Sequence, residues 1–196
     1  MRLSTSVLAL SVSTLAIVLA GGCDSNKHHD SMVPVSDMHT MPKMATSAIA
    51  VLYPTAGNNV AGIVHFTQGN DAVRVLADIQ GLPPNTTHGF HIHEFGDSSA
   101  PDAASAGGHF NPEHHPHAGP MNAMHHAGDL GNIVADANGA AHLDLSIQGL
   151  TLNGAKDAIV GRSVVLHAKP DDLKTQPTGD SGPRIACGVI GIAKEP

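Results

Sequence analysis

The strongest constraint in this 196-residue chain is a rhythm of short apolar runs that recurs from residue 48 to residue 192 and never lengthens into a helical stripe. Runs at 48–53, 61–68, 72–79, 88–95, 130–135, 140–147, 162–167 and 185–192 alternate or cluster Val, Ile, Leu, Ala and Phe, which predicts strands. Gly57-Asn58-Asn59, Gly69-Asn70-Asp71, Asn138-Gly139 and Asn153-Gly154 divide them with residues that accept positive φ or bond to their own main chain. Eight such strands predict an all-β domain, an eight-stranded antiparallel Greek-key barrel or sandwich. Its core must be aliphatic, because aromatic residues make up 3% of the chain and Trp is absent. Residues 96–128 and 168–184 break the rhythm. Loops of that length in a compact domain carry function or are disordered, and the histidines beside both point to function.

The N-terminus directs the chain outward. Arg2 precedes an uncharged stretch, residues 3–20, that ends in Leu19-Ala20-Gly21-Gly22-Cys23, so residues 1–22 read as a signal peptide. Small residues directly before a cysteine resemble the bacterial lipoprotein signal, in which Cys23 would be lipidated and become the first residue. Ala20 stands where that signal favours Leu. Ordinary cleavage or retention as an anchor would also export the domain, so the expected location is the cell envelope or periplasm, on a bacterial membrane through Cys23. Residues 23–46 read as a flexible tether bearing His28, His29, His39, Met32, Met38, Met41 and Met44. Such a segment is a spacer or a soft metal-collecting arm, since imidazole and thioether suit copper. The domain proper is expected over residues 47–196.

Charge and composition narrow the function. The formal net charge is −7 and no basic cluster exists, which argues against a nucleic-acid partner. Histidine is the outlier, at 15 residues. His91 and His93 lie two apart on an expected strand, so both imidazoles leave the same face. The first long loop adds His109, His117 and His126, Asp129 follows, and His167 closes the strand at 162–167. These seven groups suffice for two neighbouring metals that share one imidazole. His65, His142, His88, His114, His115 and His125 read as surface or packing residues.

The segments GFHIHEFGD (89–97), SAGGHFNP (105–112), HAGDLGN (126–132), GRSVVLH (161–167), Asp171-Asp172-Leu173 and PRIACGVIG (183–191) resemble the copper-zinc superoxide dismutases, in a bacterial lipoprotein form. The resemblance spans roughly residues 48–193. It implies copper on His91, His93, His109 and His167, with His109 bridging to zinc on His117, His126 and Asp129. It further implies that Asp171 links His91 to His117, that Arg184 stands beside copper, and that Thr178 faces it across the entrance. The implied reaction is dismutation of superoxide to O2 and H2O2, with His109 as a proton carrier. The competing reading is a copper and zinc buffer or copper donor of the same fold, against which Arg184 speaks, because a metal store needs no residue that guides an anion. The resemblance also implies a disulfide from the first loop to the last strand. Cys187 occupies the strand end, but residues 96–109 hold no cysteine, and the partner position falls on Asp102 or Ala103. A free, buried Cys187 is therefore expected. Between Asp172 and Thr178 the second loop is short and carries only Lys174 as a charge. Monomer and weak homodimer both remain open.

Overall fold

In the computed structural model, residues 44–154 and 156–194 are described. The signal peptide, Cys23 and most of the tether lie outside them. The strands in chain order are β1 Ser47–Pro54, β2 Ala61–Gln68, β3 Ala72–Gln80, β4 Thr87–His93, β5 Asp129–Val134, β6 Ala141–Gln148, β7 Ser163–His167, β8 Arg184–Val189 and β9 Gly191–Ile192. They pair antiparallel in the order β5-β4-β7-β8-β1-β2-β3-β6, with β9 beside β1. Ala135, just past β5, bridges Ala141 at the start of β6, so the two ends of that order meet. The result is a nearly closed barrel whose long crossovers make it a Greek key.

Seven of the eight expected runs appear within two residues of their expected limits. The eighth, 185–192, is interrupted. Tyr53 pairs with Cys187 in β8 and Ile49 with Gly191 in β9, but Ile190 between them turns its main chain to Arg162 and Gly161. Strand β4 ends at His93 rather than residue 95, because Glu94 and Phe95 donate to Gly108 and Ala106 in the first long loop. The two residues ahead of β1 bond to other parts of the chain. Ala45 is buried and exchanges two hydrogen bonds with the Asn153 side chain, and Gln68 donates to the Thr46 carbonyl.

The barrel has two kinds of wall. Strand β3 alternates strictly enough that Val73, Val75, Ala77 and Ile79 face the core while Arg74 and Asp78 face solvent. Strands β4 and β7 are buried along both faces. Phe90 and Ile92 of β4 and Val164 and Leu166 of β7 enter the barrel core with Phe66. The opposite face carries Gly89, His91 and His93, then Ser163, Val165 and His167, and is covered by the two long loops. The period of two thus puts hydrocarbon inside the barrel and imidazole on its outer wall.

Beneath the first loop, Ala103, Ala106, Val165 and Cys187 form a small apolar cluster apart from the main core. Cys187 is free and buried, and burial raises its thiol above the usual range. Of the two candidate partner positions, Ala103 is the one that packs with it, while Asp102 is exposed.

Candidate metal centre

Main-chain bonding along β4 brings distant histidines together. Phe110 donates to the Ile92 carbonyl, Ile92 to Gly128 and Gly128 to Phe110, while His93 and His109 form a bridge. Residues 108–110 and 128 are therefore laid against the end of β4. Gly128 is required there, since a Cβ would sit 2.2 Å from the Ile92 carbonyl oxygen. Arg162 closes the same corner, with its guanidinium over the Phe110 ring at 3.4 Å and a bond to the Glu94 carbonyl.

Two groups of buried ligand atoms result. His91, His93, His109 and His167 form one, and His109, His117, His126 and Asp129 form the other. His109 belongs to both. In the first group, His93 Nδ1 lies 3.0 Å from the Gly107 carbonyl and His167 Nδ1 lies 3.0 Å from the Gly182 carbonyl. A carbonyl only accepts, so each ring carries its proton on Nδ1 and presents a bare lone pair at Nε2. Those two Nε2 atoms face each other at 3.3 Å. His91 Nδ1 and His109 Nε2 are buried without any partner. Burial, followed by the neighbouring His109 and His167, holds His93 well below the usual imidazole pKa. Burial likewise lowers His167 to about 3 and, against the opposing contact with Asp129, His109 to about 4. Neutral imidazoles whose free nitrogens converge in a buried site suit a cation.

Asp129 organises the second group. Its Oδ2 accepts from the main-chain N–H of His126 and Ala118, at 3.0 and 3.2 Å. Its Oδ1 faces His109 Nδ1 at 2.9 Å, His117 Nδ1 at 3.0 Å and His126 Nδ1 at 3.4 Å, the last without hydrogen-bond geometry. Asp171 spans the two groups, with Oδ2 2.9 Å from His91 Nε2 and Oδ1 2.9 Å from His117 Nε2. Burial would raise both carboxyls, but the ring N–H groups outweigh it and hold them well below the usual carboxylate range. Burial opposes a charge on His117, yet its contacts with both carboxylates raise it to about 9. One carboxylate and three imidazole Nδ1 atoms on a common centre fit tetrahedral zinc, and four imidazole nitrogens fit copper.

Arg184, half-buried at the start of β8, donates from Nη1 to the Ala103 carbonyl and from Nη2 to the Gly107 carbonyl at 2.5 Å. Gly107 is also the acceptor of His93, so the guanidinium sits one carbonyl away from the first group. Thr178 is placed less directly: its carbonyl caps Ser181 N and Oγ, and no hydrogen bond of its hydroxyl reaches the histidines. His88, buried between Thr86 and the His167 carbonyl, is a packing residue, and His142 pairs with Asp78 at the surface.

Two supporting residues, Asn132 and Gly179, were not among the residues singled out in the sequence. The Asn132 side chain donates to the Asp171 carbonyl at 2.9 Å and accepts from the Asp171 N–H at 2.8 Å, which fixes the carboxylate's origin. Gly179 lies so close over the site that a Cβ would fall 1.8 Å from Asp171 Oδ1 and 2.7 Å from His117 Nε2. Asn132 lies within a quoted motif, which could have marked it. Gly179 adjoins Thr178 in a loop without periodicity, which could not.

The sequence model of the copper/zinc superoxide dismutase (SODC) family matches residues 60–190. An extracellular Cu-Zn superoxide dismutase of Brugia pahangi is 41% identical over 177 residues, covering 86% of this chain and 85% of the relative. A Cu-Zn superoxide dismutase of Onchocerca volvulus is 42% identical over 160 residues, covering 76% of this chain and 98% of its own. One from Paramecium bursaria Chlorella virus 1 is 45% identical over 155 residues, covering 76% and 80%. Among solved structures, the clock protein EA4 superposes with a TM-score of 0.72 at 44% identity, over 80% of this chain and all of that one. With the motifs, the barrel and two histidine groups in agreement, the chain belongs to the copper/zinc superoxide dismutase family and is an enzyme of that class.

Proposed function

We propose that the chain dismutes superoxide in the cell envelope, with copper held by His91, His93, His109 and His167 and zinc held by His109, His117, His126 and Asp129. The observation that carries this reading is the membership of His109 in both groups of ligand atoms. Copper bound there supplies a one-electron couple, so that one superoxide is oxidised to O2 and a second, with two protons, is reduced to H2O2. His109 is the residue to hold and pass on a proton at Nε2, the ring atom facing the first group, while Asp129 keeps the other end of the ring in place. Asp171 sets which nitrogen of His91 and of His117 carries the proton, and so which nitrogen remains free to ligate. Substrate attraction cannot come from a total charge of −7 and is assigned to the Arg184 guanidinium, with Thr178 on the opposite side of the approach.

The full chain reconstituted with copper and zinc should accelerate superoxide decay, and Arg184→Ala should lower kcat/KM roughly tenfold and flatten its dependence on salt. Stoichiometric copper binding without catalysis would instead establish a metal store. Export is supported by residues 1–22 and by the extracellular name of the Brugia relative. Anchoring through lipidated Cys23 would give acyl labelling that Cys23→Ala abolishes. A weak homodimer is supported by Val51, Phe95, Val189 and Ile192, which leave apolar side chains in solvent. Sedimentation at micromolar concentration tests it, and Val189→Glu should yield a strict monomer.

A further inference from the structure

The second long loop bears on His117 at three points, and only two of them touch its ring. Asp171 accepts from Nε2, and Gly179 closes over the same atom. The third is Gln176, which grips the main chain. Its Oε1 accepts from the His117 N–H at 2.7 Å, and its Nε2 donates to the His117 carbonyl at 2.8 Å and to the Lys174 carbonyl at 3.0 Å. One carboxamide thus satisfies both polar main-chain groups of one residue, as a neighbouring strand would.

The surroundings of His117 explain why such a grip matters. No strand runs between β4 and β5, so His117 has no ladder to fix its φ and ψ. The nearest main-chain anchors of the segment are the Asn111 side chain on His115 and the Asp129 carboxylate on Ala118. Between them the His117 N–H and C=O are held by Gln176. Rotation of this peptide would swing the imidazole away from Asp129 and Asp171 together, since both contacts are made by one rigid ring.

We propose that Gln176 is a positioning residue for the zinc site: by pairing with the His117 main chain it presets the ring for the cation and sets how tightly zinc is held. The proposal rests on the zinc assignment given under Proposed function. It gives the short second loop, whose charges between Asp172 and Thr178 reduce to Lys174, a role in metal retention. Gln176 is exposed, so its replacement leaves the barrel core untouched.

Zinc affinity of the full chain, measured by chelator competition, tests this in Gln176→Met, which keeps length without hydrogen bonds, and Gln176→Glu, which keeps only the acceptor. Both should bind zinc more weakly, roughly tenfold for Gln176→Met, with copper affinity unchanged. Cobalt(II) in the zinc site should give a shifted visible spectrum in Gln176→Met, because the ligand ring has moved. Wild-type zinc affinity and an unaltered cobalt spectrum in Gln176→Met would overturn the proposal. So would an equal loss of both metals with an unaltered cobalt spectrum, the sign of general destabilisation. His117→Ala separates the two levels of inference. If its zinc affinity equals wild type, the zinc assignment fails, whereas a loss there without one in Gln176→Met defeats the Gln176 role alone.

Discussion

The β1-β2-β3-β6 wall and the β4-β7-β8 wall are built from the same alternating strands, yet they are held by different forces. On the first wall each strand buries one face in hydrocarbon and gives the other to water, as Val73, Val75 and Ile79 against Arg74 and Asp78 show. On the second wall the outer face is also buried, but under loops with little apolar content. What joins those loops to the wall is chiefly a polar set: seven converging ligand groups, Asp129 among them, with Asp171 and the Arg184 guanidinium. Hydrocarbon burial is indifferent to metal, whereas converging lone pairs repel one another until a cation arrives. One molecule therefore contains a half that folds on its own chemistry and a half completed by its cofactors.

Metal removal separates the two most sharply. A ligand present at a thousand times its Kd stabilises a protein by about 4 kcal/mol, so chelation should cost at least that much. The loss should be uneven: amides of residues 104–128 and 170–182 should lose far more protection in metal-free protein than those of β2 and β3. Hydrogen exchange read by mass spectrometry checks this, and uniform loss over both walls would erase the distinction.

The reverse experiment removes hydrocarbon. Phe66 is fully buried in the main core and far in sequence from every ligand. Phe66→Ala should cost about 3–5 kcal/mol, by the same amount with and without metals in chemical denaturation. Its copper and zinc stoichiometry should stay at wild type. A penalty that appears only in one metal state would mean that the walls are coupled through the core.

The same division explains how much of the molecule could be read from its sequence. Strands obey a period of two, so β1 to β7 follow from local pattern, and the spacing of His91 and His93 alone puts both on one face. Six of the seven ligand candidates lay within motifs, and His117 was marked only by its place in the first long loop. Contacts made from afar were not marked in this way. Gln176 meets His117 across 59 positions and Asn132 meets Asp171 across 39. Nothing periodic links either pair, and the contacts exist only once the loops have closed. The break at Ile190 was hidden for the same reason, since it arises from a pairing with Gly161 and Arg162 and not from the run itself. Arg184 was legible as a cation beside the site, but its grip on the Ala103 and Gly107 carbonyls was not.

The weakest of the three effects concerns the tie that the loop lacks. Ala103 and Cys187 share one small apolar cluster, at the place where the family resemblance implies a disulfide. Ala103 has a φ of 58°, a conformation already strained for any residue with a Cβ, so a cysteine there adds no new backbone cost. In a Cys23→Ser background, Ala103→Cys should form a disulfide on oxidation and gain about 2 kcal/mol, at the low end of the usual range because engineered bridges carry strain. The gain should vanish in reductant, and thiol titration of the denatured, oxidised variant should find none free. Two titratable thiols after oxidation would show that the loop does not pack on Cys187. The bridge should also slow exchange of residues 100–107 in metal-free protein without changing β2 or β3. A covalent tie would then substitute for part of what the metals supply, which is the expected behaviour of a loop held more by its ligands than by its own burial.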